Sequence, residues 1–215
     1  MNLIIFGPQG CGKGTQAELI SKKLGYVHLS TGDIFREEIK KGSELGKLAD
    51  SLINNGNLVP DDITNKIVLN KITELNSINK KVILDGYPRN VSQAKFLLEN
   101  KVSIDHIIVL KINDNVSIKR ISSRYHCPNC NVNYNLNCDE FKPKLKGVCD
   151  KCGSKLVQRD DDHIESIKKR LEIYHNQTKP IFELFCKKTI FINGINCIED
   201  VNKEIIEKLK SRDKQ

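Results

Sequence analysis

The amino-acid sequence predicts an α/β fold in which a parallel sheet is flanked by helices and carries two inserted segments. Three observations lead there. Short branched apolar runs alternate with helical patterns, a glycine-rich loop joins the first run to the first helix, and two Cys-x-x-Cys pairs sit in a polar stretch that fits neither pattern. A chain of 215 residues, 39% apolar and 29% charged, can bury one sizeable core with room for one or two small excursions.

Residues 3–6 form an apolar run bounded by Gly7, short and branched enough for a buried parallel strand, as are residues 82–84 and 106–110. Residues 26–29 and 189–192 read the same way on a weaker signal. Helical patterns cover residues 15–24 closed by Gly25, 43–55 closed by Gly56, 61–75, 90–100, and 114–124 with Asp114 as N-cap. Alternation of this kind means parallel strands joined by helical crossovers. Two stretches break it. Residues 30–59 are helical without a strand, and the following irregular stretch, 125–158, is rich in Asn, Lys, Cys and Gly. Both are expected over the carboxyl edge of the sheet, which gives a core of residues 1–29, 60–124 and 160–215 with insertions at 30–59 and 125–159. The lysine-rich end after Lys208 is expected to fray.

The net charge of +8 and pI near 9.0 suit nucleic acid, an acidic membrane surface or polyphosphate ligands, and a lysine-rich solvated surface is the plain alternative. No window approaches the roughly 20 apolar residues needed to span a bilayer. The start of the chain runs into the glycine loop without the zones of a signal peptide, so a cytoplasmic protein with no membrane association is expected. In such a protein, Cys127, Cys130, Cys149 and Cys152 favour a metal over a disulfide framework, while Cys11, Cys138, Cys186 and Cys197 are scattered.

Gly7-Pro8-Gln9-Gly10-Cys11-Gly12-Lys13-Gly14-Thr15 follows a strand and opens a helix, the context a Walker A phosphate loop needs. Its glycines let successive N–H groups turn toward phosphate oxygens, the helix N-terminus adds positive potential, and Lys13 reaches the transferring group. Cys11 is either a reactive thiol near a helix N-terminus or a small spacer, and the spacer is favoured. Gly14 intervenes between Lys13 and Thr15, and this pattern, G-x-x-G-x-G-K-G-T-Q, resembles the adenylate kinase family and its nucleoside monophosphate kinase relatives. Gln9 departs from it where the family often has Pro.

The resemblance continues in order through Ser30-Thr31-Gly32-Asp33 with Arg36, Gly56-Asn57-Leu58-Val59-Pro60-Asp61, and Leu84-Asp85-Gly86-Tyr87-Pro88-Arg89 with Gln93. It implies that Thr31 and Gln93 meet the adenine of AMP, that Asn57, Leu58 and Val59 line its pocket with Gly86 and Tyr87, and that Arg36 and Arg89 hold its phosphate. Tyr87 stands where Phe is common. The family's catalytic arginines map onto Arg89, Arg124, Arg159 and Arg170, with Arg159 opening an R-x-D-D element and Arg159 and Arg170 also facing AMP. ATP would meet Gly10, Cys11, Gly12, Lys13, Gly14, Thr15, Arg120, Arg124, Asn133, Tyr134 and Asn196.

Read from the residues alone, Asp85 ends an apolar strand beside the phosphate loop and can orient magnesium-bound water, or simply cap the strand. Arg120 and Arg124 are spaced i,i+4, as on one helix face. Together the arginines suit a transition state whose charge spreads over phosphoryl oxygens. No general base is evident, and a phosphate acceptor, already an anion, requires none.

The spacing of the two Cys-x-x-Cys pairs fits a four-thiolate zinc site, with iron as a soft-ligand competitor and a redox dithiol or a nucleic-acid-binding ribbon as other readings. The resemblance places this stretch where long-form adenylate kinases carry their ATP lid, some with zinc. Four thiolates leave no open position for chemistry, so the metal would be structural. The expected activity is reversible magnesium-dependent transfer from ATP to AMP giving two ADP, by a monomer that binds no nucleic acid. A sister kinase for UMP, CMP or GMP, or one using GTP as donor, is the nearest alternative. A GTPase switch fits less well, because Asn65-Lys66-Ile67-Val68 lacks the last Asp of N-K-x-D.

Overall fold

Side chains of β1 (Asn2–Phe6) alternate, with Leu3 and Ile5 on one face and Ile4 and Phe6 on the other, and every one of these is buried. A strand buried on both faces must be covered on both, and the computed structural model, which describes residues 2–212, shows how. α1 (Lys13–Leu24) starts behind Gly12, whose φ of 95° is a left-handed conformation that suits glycine, and closes at Gly25. It leads into β2 (Tyr26–Ser30).

The first insertion is α2 (Thr31–Lys41) and α3 (Glu44–Ile53). Ser30 caps α2 by accepting from the Asp33 N–H, and Ser43 caps α3 by accepting from Gly46. The chain returns through α4 (Asp61–Ser77), β3 (Lys81–Asp85), α5 (Val91–Glu99), β4 (His106–Lys111) and α6 (Asp114–Ser122). The second insertion is built on an antiparallel pair, β5 (Arg124–His126) and β6 (Asn133–Asn135). Then follow α7 (Ile164–Ile173), a π-helical turn at Tyr174–Thr178, α8 (Ile181–Leu184), β7 (Thr189–Asn193) and α9 (Ile198–Arg212).

The five-stranded sheet has the order β2-β3-β1-β4-β7, parallel throughout. From β1 the chain crosses to β2 at one edge, and after β3 it passes to β4 on the other side. β1 therefore lies where the winding direction reverses, the place where open α/β sheets leave a crevice at their carboxyl ends. Ile4, Leu84 and Ile107 pack under α4 and α5 with Ile72, Ala94 and Leu97. On the opposite face Leu3, Ile83 and Ile108 pack under α1 and α9 with Ile20, Val201 and Ile205.

All five expected strands are present, each within a residue or two of its sequence limits. Two expectations are corrected. The helix after β4 ends at Ser122 and is capped by Asn113, which accepts the Val116 N–H at 2.9 Å, not by Asp114. Arg124 consequently begins β5 and does not share a helical face with Arg120. The chain after Lys208 continues as helix to Arg212, whose guanidinium donates to the carbonyls of Lys187 and Thr189 at 2.9 and 3.1 Å. The rest of that segment, residues 213–215, lies outside the described residues.

The two insertions touch: Lys40 on α2 donates to the carbonyl of Pro128, in the first cysteine pair, at 2.6 Å. Within the first insertion α3 crosses α2 at Gly46, where a methyl group would collide with the backbone at Glu38 and Ile39. Gly46→Ala should therefore force the helices apart and lower stability by about 1–3 kcal/mol, the usual cost of overpacking. Urea denaturation checks this, and an unchanged midpoint would contradict the close crossing.

Candidate active site

The loop between β1 and α1 is held from outside by polar contacts. Ser117 donates to the Gln9 carbonyl, and Arg120 donates to the carbonyls of Gly10 and Gly194 at 3.4 and 2.9 Å. Lys13 Nζ donates to Gly7 and Pro8 at 2.7 and 2.9 Å, which holds its ammonium within the loop. Cys11 is buried, and burial raises its thiol pKa, as a spacer requires and a reactive thiol does not. Asn196 is exposed in the turn after β7, next to Ile195, whose carbonyl accepts from Arg120 at 3.4 Å. Thr15 follows in the first turn of α1.

Asp85, at the carboxyl end of β3, brings its Oδ2 to 3.6 Å from the Cβ position of Gly14. Its partner is His28 on β2, with Nε2 at 3.2 Å from Oδ2. Burial pulls the His28 pKa down, yet the bond to Asp85 and its charge outweigh this and leave it raised. Sequence reasoning missed this pair, whose members are 57 positions apart and meet because their strands pair in parallel.

Across the crevice, Thr31, Arg36, Asn57, Leu58, Val59 and Gly86 line a cleft of about 560 Å³, open solvent included, that also reaches Arg89, Asp161 and Arg170. Thr31 Oγ1 and Arg89 Nε both donate to the Gly86 carbonyl, at 2.9 and 2.8 Å, and Arg36 pairs with Asp33. Two expected lining residues turn elsewhere. The Tyr87 ring is buried in the core with its hydroxyl donating to Asn65. The Gln93 side chain is hydrogen-bonded within the protein, accepting the Arg89 N–H at 2.7 Å and donating to Asp61 at 2.8 Å, so it shapes the Arg89 backbone and is absent from the cleft lining.

Arg36, Arg89 and Arg170 meet in this cleft with Arg124 and Arg159 close by, and the crowding of like charge adds to burial in lowering the pKa of Arg89 and Arg159. Burial first, and then Arg170, pulls Arg89 down to about 10; burial, Arg124 and Arg36 pull Arg159 down to about 9. Two carboxylates offset part of this charge. Asp162, its side chain fully buried, takes Arg124 through Nε and Nη2 at 2.8 and 2.5 Å and stands 3.5 Å from Arg170. Asp161 pairs with Arg170 at 2.8 Å. Arg159 has no carboxylate bond among the described residues; its Nη2 donates to Asn133 at 2.8 Å. The sequence shows the acidic run after Arg159 but not which arginine each carboxylate meets.

In the second insertion the sulfurs of Cys127, Cys130, Cys149 and Cys152 all lie within 4.8 Å of one another, and Cys138 stays outside the group. Three pairs measure 3.3, 3.4 and 3.7 Å. Tetrahedral zinc with Zn–S bonds of about 2.3 Å needs sulfurs about 3.8 Å apart, whereas a disulfide needs about 2.05 Å, so the set fits one metal ion and no disulfide. Tyr134, expected at ATP, packs its ring into this cluster instead and donates its hydroxyl to Cys149 at 3.4 Å. That hydrogen bond draws the Cys149 thiol down to about 6, against the effect of burial.

A phosphate loop at the reversal of a parallel sheet, facing an arginine-lined cleft under the first insertion, defines a nucleoside monophosphate kinase. The sequence model of the adenylate kinase family matches residues 5–190. The chain is 43% identical to an adenylate kinase of Thermoanaerobacter sp. strain X514 and 44% identical to one of Petrotoga mobilis, each over the full length of both chains. It is 39% identical to the adenylate kinase of Streptomyces avermitilis over 99% of each. The chain belongs to the adenylate kinase family.

Asp162→Ala should leave Arg124 and Arg170 short of their shared buried partner and cost about 3–5 kcal/mol, the usual penalty for breaking a buried ion pair. Guanidinium denaturation measures it; a loss under about 1 kcal/mol would mean that water satisfies both guanidiniums.

Proposed function

We propose that the chain catalyses reversible, magnesium-dependent phosphoryl transfer from ATP to AMP, giving two ADP. The observation that carries this is the convergence of two anion sites: the loop around Lys13, and the cleft where Arg36, Arg89 and Arg170 meet Thr31 and Asn57–Val59. One site suits the donor's triphosphate and the other a monophosphate with its base in the cleft. An AMP phosphate oxygen attacks the γ-phosphorus, the bond to the β,γ-bridging oxygen breaks, and ADP leaves. The attacking group is already an anion, so positioning suffices and no general base is needed.

Lys13, Arg124, Arg159 and Arg170 would neutralise charge on the phosphoryl oxygens, and Arg36 and Arg89 would seat AMP. The repulsion among these cations favours the bound polyanion and gives it up less readily to water. Arg120 and Asn196 would flank the ATP base, with Gly10, Cys11, Gly12, Gly14 and Thr15 around its phosphates. The backbone at Asn133 and Tyr134 would close over it, which leaves the Asn133 side chain to Arg159. Magnesium would supply neutralising charge to the donor phosphates, and Asp85, hydrogen-bonded to His28, would orient its water.

We read residues 30–59 as the AMP-binding insertion and 125–159 as the ATP lid, with a structural zinc on the four cysteines, iron being its competitor. The adenylate kinase lid is itself a standard example of closure that keeps water from the transferring group.

A coupled assay over a panel of nucleoside monophosphates tests the reaction, with AMP expected as the preferred acceptor. Lys13→Ala should cut kcat by more than about a hundredfold with the fold intact by circular dichroism, since one directed charge contact supplies that much or more. A smaller loss would remove Lys13 from the transferring group.

Purified protein should carry about one equivalent of zinc, and Cys149→Ser or chelation should lower the melting temperature and increase amide exchange in the lid while the sheet stays protected. Metal-free protein with an unchanged melting temperature would end the structural-zinc reading.

A further inference from the structure

Neighbouring side chains on a strand point to opposite faces, and on β6 the two faces have different partners. Tyr134 is 7% exposed and lies among Cys127, Cys149 and Leu156. Its hydroxyl donates to Cys149 Sγ at 3.4 Å and accepts the Asp150 N–H at 2.8 Å. A single phenol therefore ties β6 to both a sulfur and the backbone of the second cysteine pair. On the other face, exposed Asn133 accepts from Arg159 Nη2 at 2.8 Å.

Arg159 needs such a hold more than its neighbours do. Arg124 and Arg170 are fixed by carboxylates, whereas Arg159 has a buried Nε without a partner and stands beside Arg124 and Arg36. A neutral amide oxygen grips a cation less tightly than a carboxylate does. Its grip is only as firm as the strand that carries it. β6 is three residues long, paired to the three residues of β5, too little ladder to be rigid alone.

We propose that β6 is a strap through which the four-cysteine centre holds Arg159: Tyr134 fastens the strand to Cys149, and Asn133, on its opposite face, fixes the guanidinium. The metal then does more than keep the lid folded, because its thiolates anchor the strand that aims one arginine at the reaction. Outer-shell partners of this kind are ordinary in metal sites, where they fix the ligands and transmit their geometry. This inference rests on the proposed role of Arg159 in phosphoryl transfer, and Asn133 and Tyr134 act in it as positioning residues.

The test uses the zinc-loaded full chain with Asn133→Leu, Asn133→Asp and Tyr134→Phe. Asn133→Leu should lower kcat about tenfold, the low end for loss of an outer-shell contact, with the ATP dissociation constant changed by less than about twofold. Asn133→Asp keeps an acceptor oxygen and should retain kcat within about threefold. Tyr134→Phe should release zinc to the chelator 4-(2-pyridylazo)resorcinol about tenfold faster. Its Arg159 Nε–H resonance should shift in the same direction as in Asn133→Leu.

Loss of ATP affinity instead of kcat in Asn133→Leu, an Asn133→Asp protein as impaired as Asn133→Leu, or an unmoved Arg159 resonance in Tyr134→Phe would each overturn the strap. If native protein fails to turn over ATP and AMP, the proposed reaction fails by itself, and zinc release and the Arg159 resonance still decide the strap.

Discussion

Repulsion among half-buried guanidinium groups is the constraint to which the rest of the structure answers. A cleft that gathers Arg36, Arg89 and Arg170, with Arg124 and Arg159 close by, is unfavourable until anions fill it, and burial together with these neighbours leaves Arg89 and Arg159 holding their protons less tightly than free arginine does. The chain offsets the strain with carboxylates beside the cations, the fully buried Asp162 for Arg124 and Asp161, itself in the cleft wall, for Arg170. It leaves enough uncompensated charge for a polyanion to relieve. The parallel sheet serves this arrangement by bringing the Lys13 loop and the Asp85 strand end to neighbouring strands at the reversal point.

Much of this is legible in the sequence. Strands buried on both faces announce themselves as continuous branched runs, and the glycine loop between run and helix locates the crevice. What stayed hidden depends on pairings distant in sequence. The helix of 114–122 ends because Ser123 turns its hydroxyl back to the Lys119 carbonyl and its own carbonyl to Leu136, a competition with the helix that the i,i+4 spacing of Arg120 and Arg124 conceals. Asn113 and Asp114 are equally good caps by type, and only the position of the Val116 N–H decides between them. Arg212 stays helical because it donates to the carbonyls of Lys187 and Thr189 at the start of β7, which a lysine-rich composition cannot reveal.

The candidate site divides in the same way. Residues 57–59, Thr31, Arg36 and Arg89 line one cleft as their motifs lead one to expect. Tyr87, Gln93 and Tyr134 belong to the right segments, but their side chains face inward. A motif fixes where the backbone passes; which way each side chain points is set by strand register and by unpaired polar groups nearby. Tyr134 turns to a sulfur and an N–H that the second cysteine pair presents. The core of the second insertion is so small, with Cys127, Tyr134, Cys149 and Leu156 its buried members, that its cysteines and its packing cannot be separated.

The bond from Lys40 to the Pro128 carbonyl spans the two insertions outside the cleft. Each insertion is attached to the sheet by its own ends, and this exposed bond joins them at a second place. A contact that links two segments acts equally on both, so a displacement of either is resisted by the hold of the other.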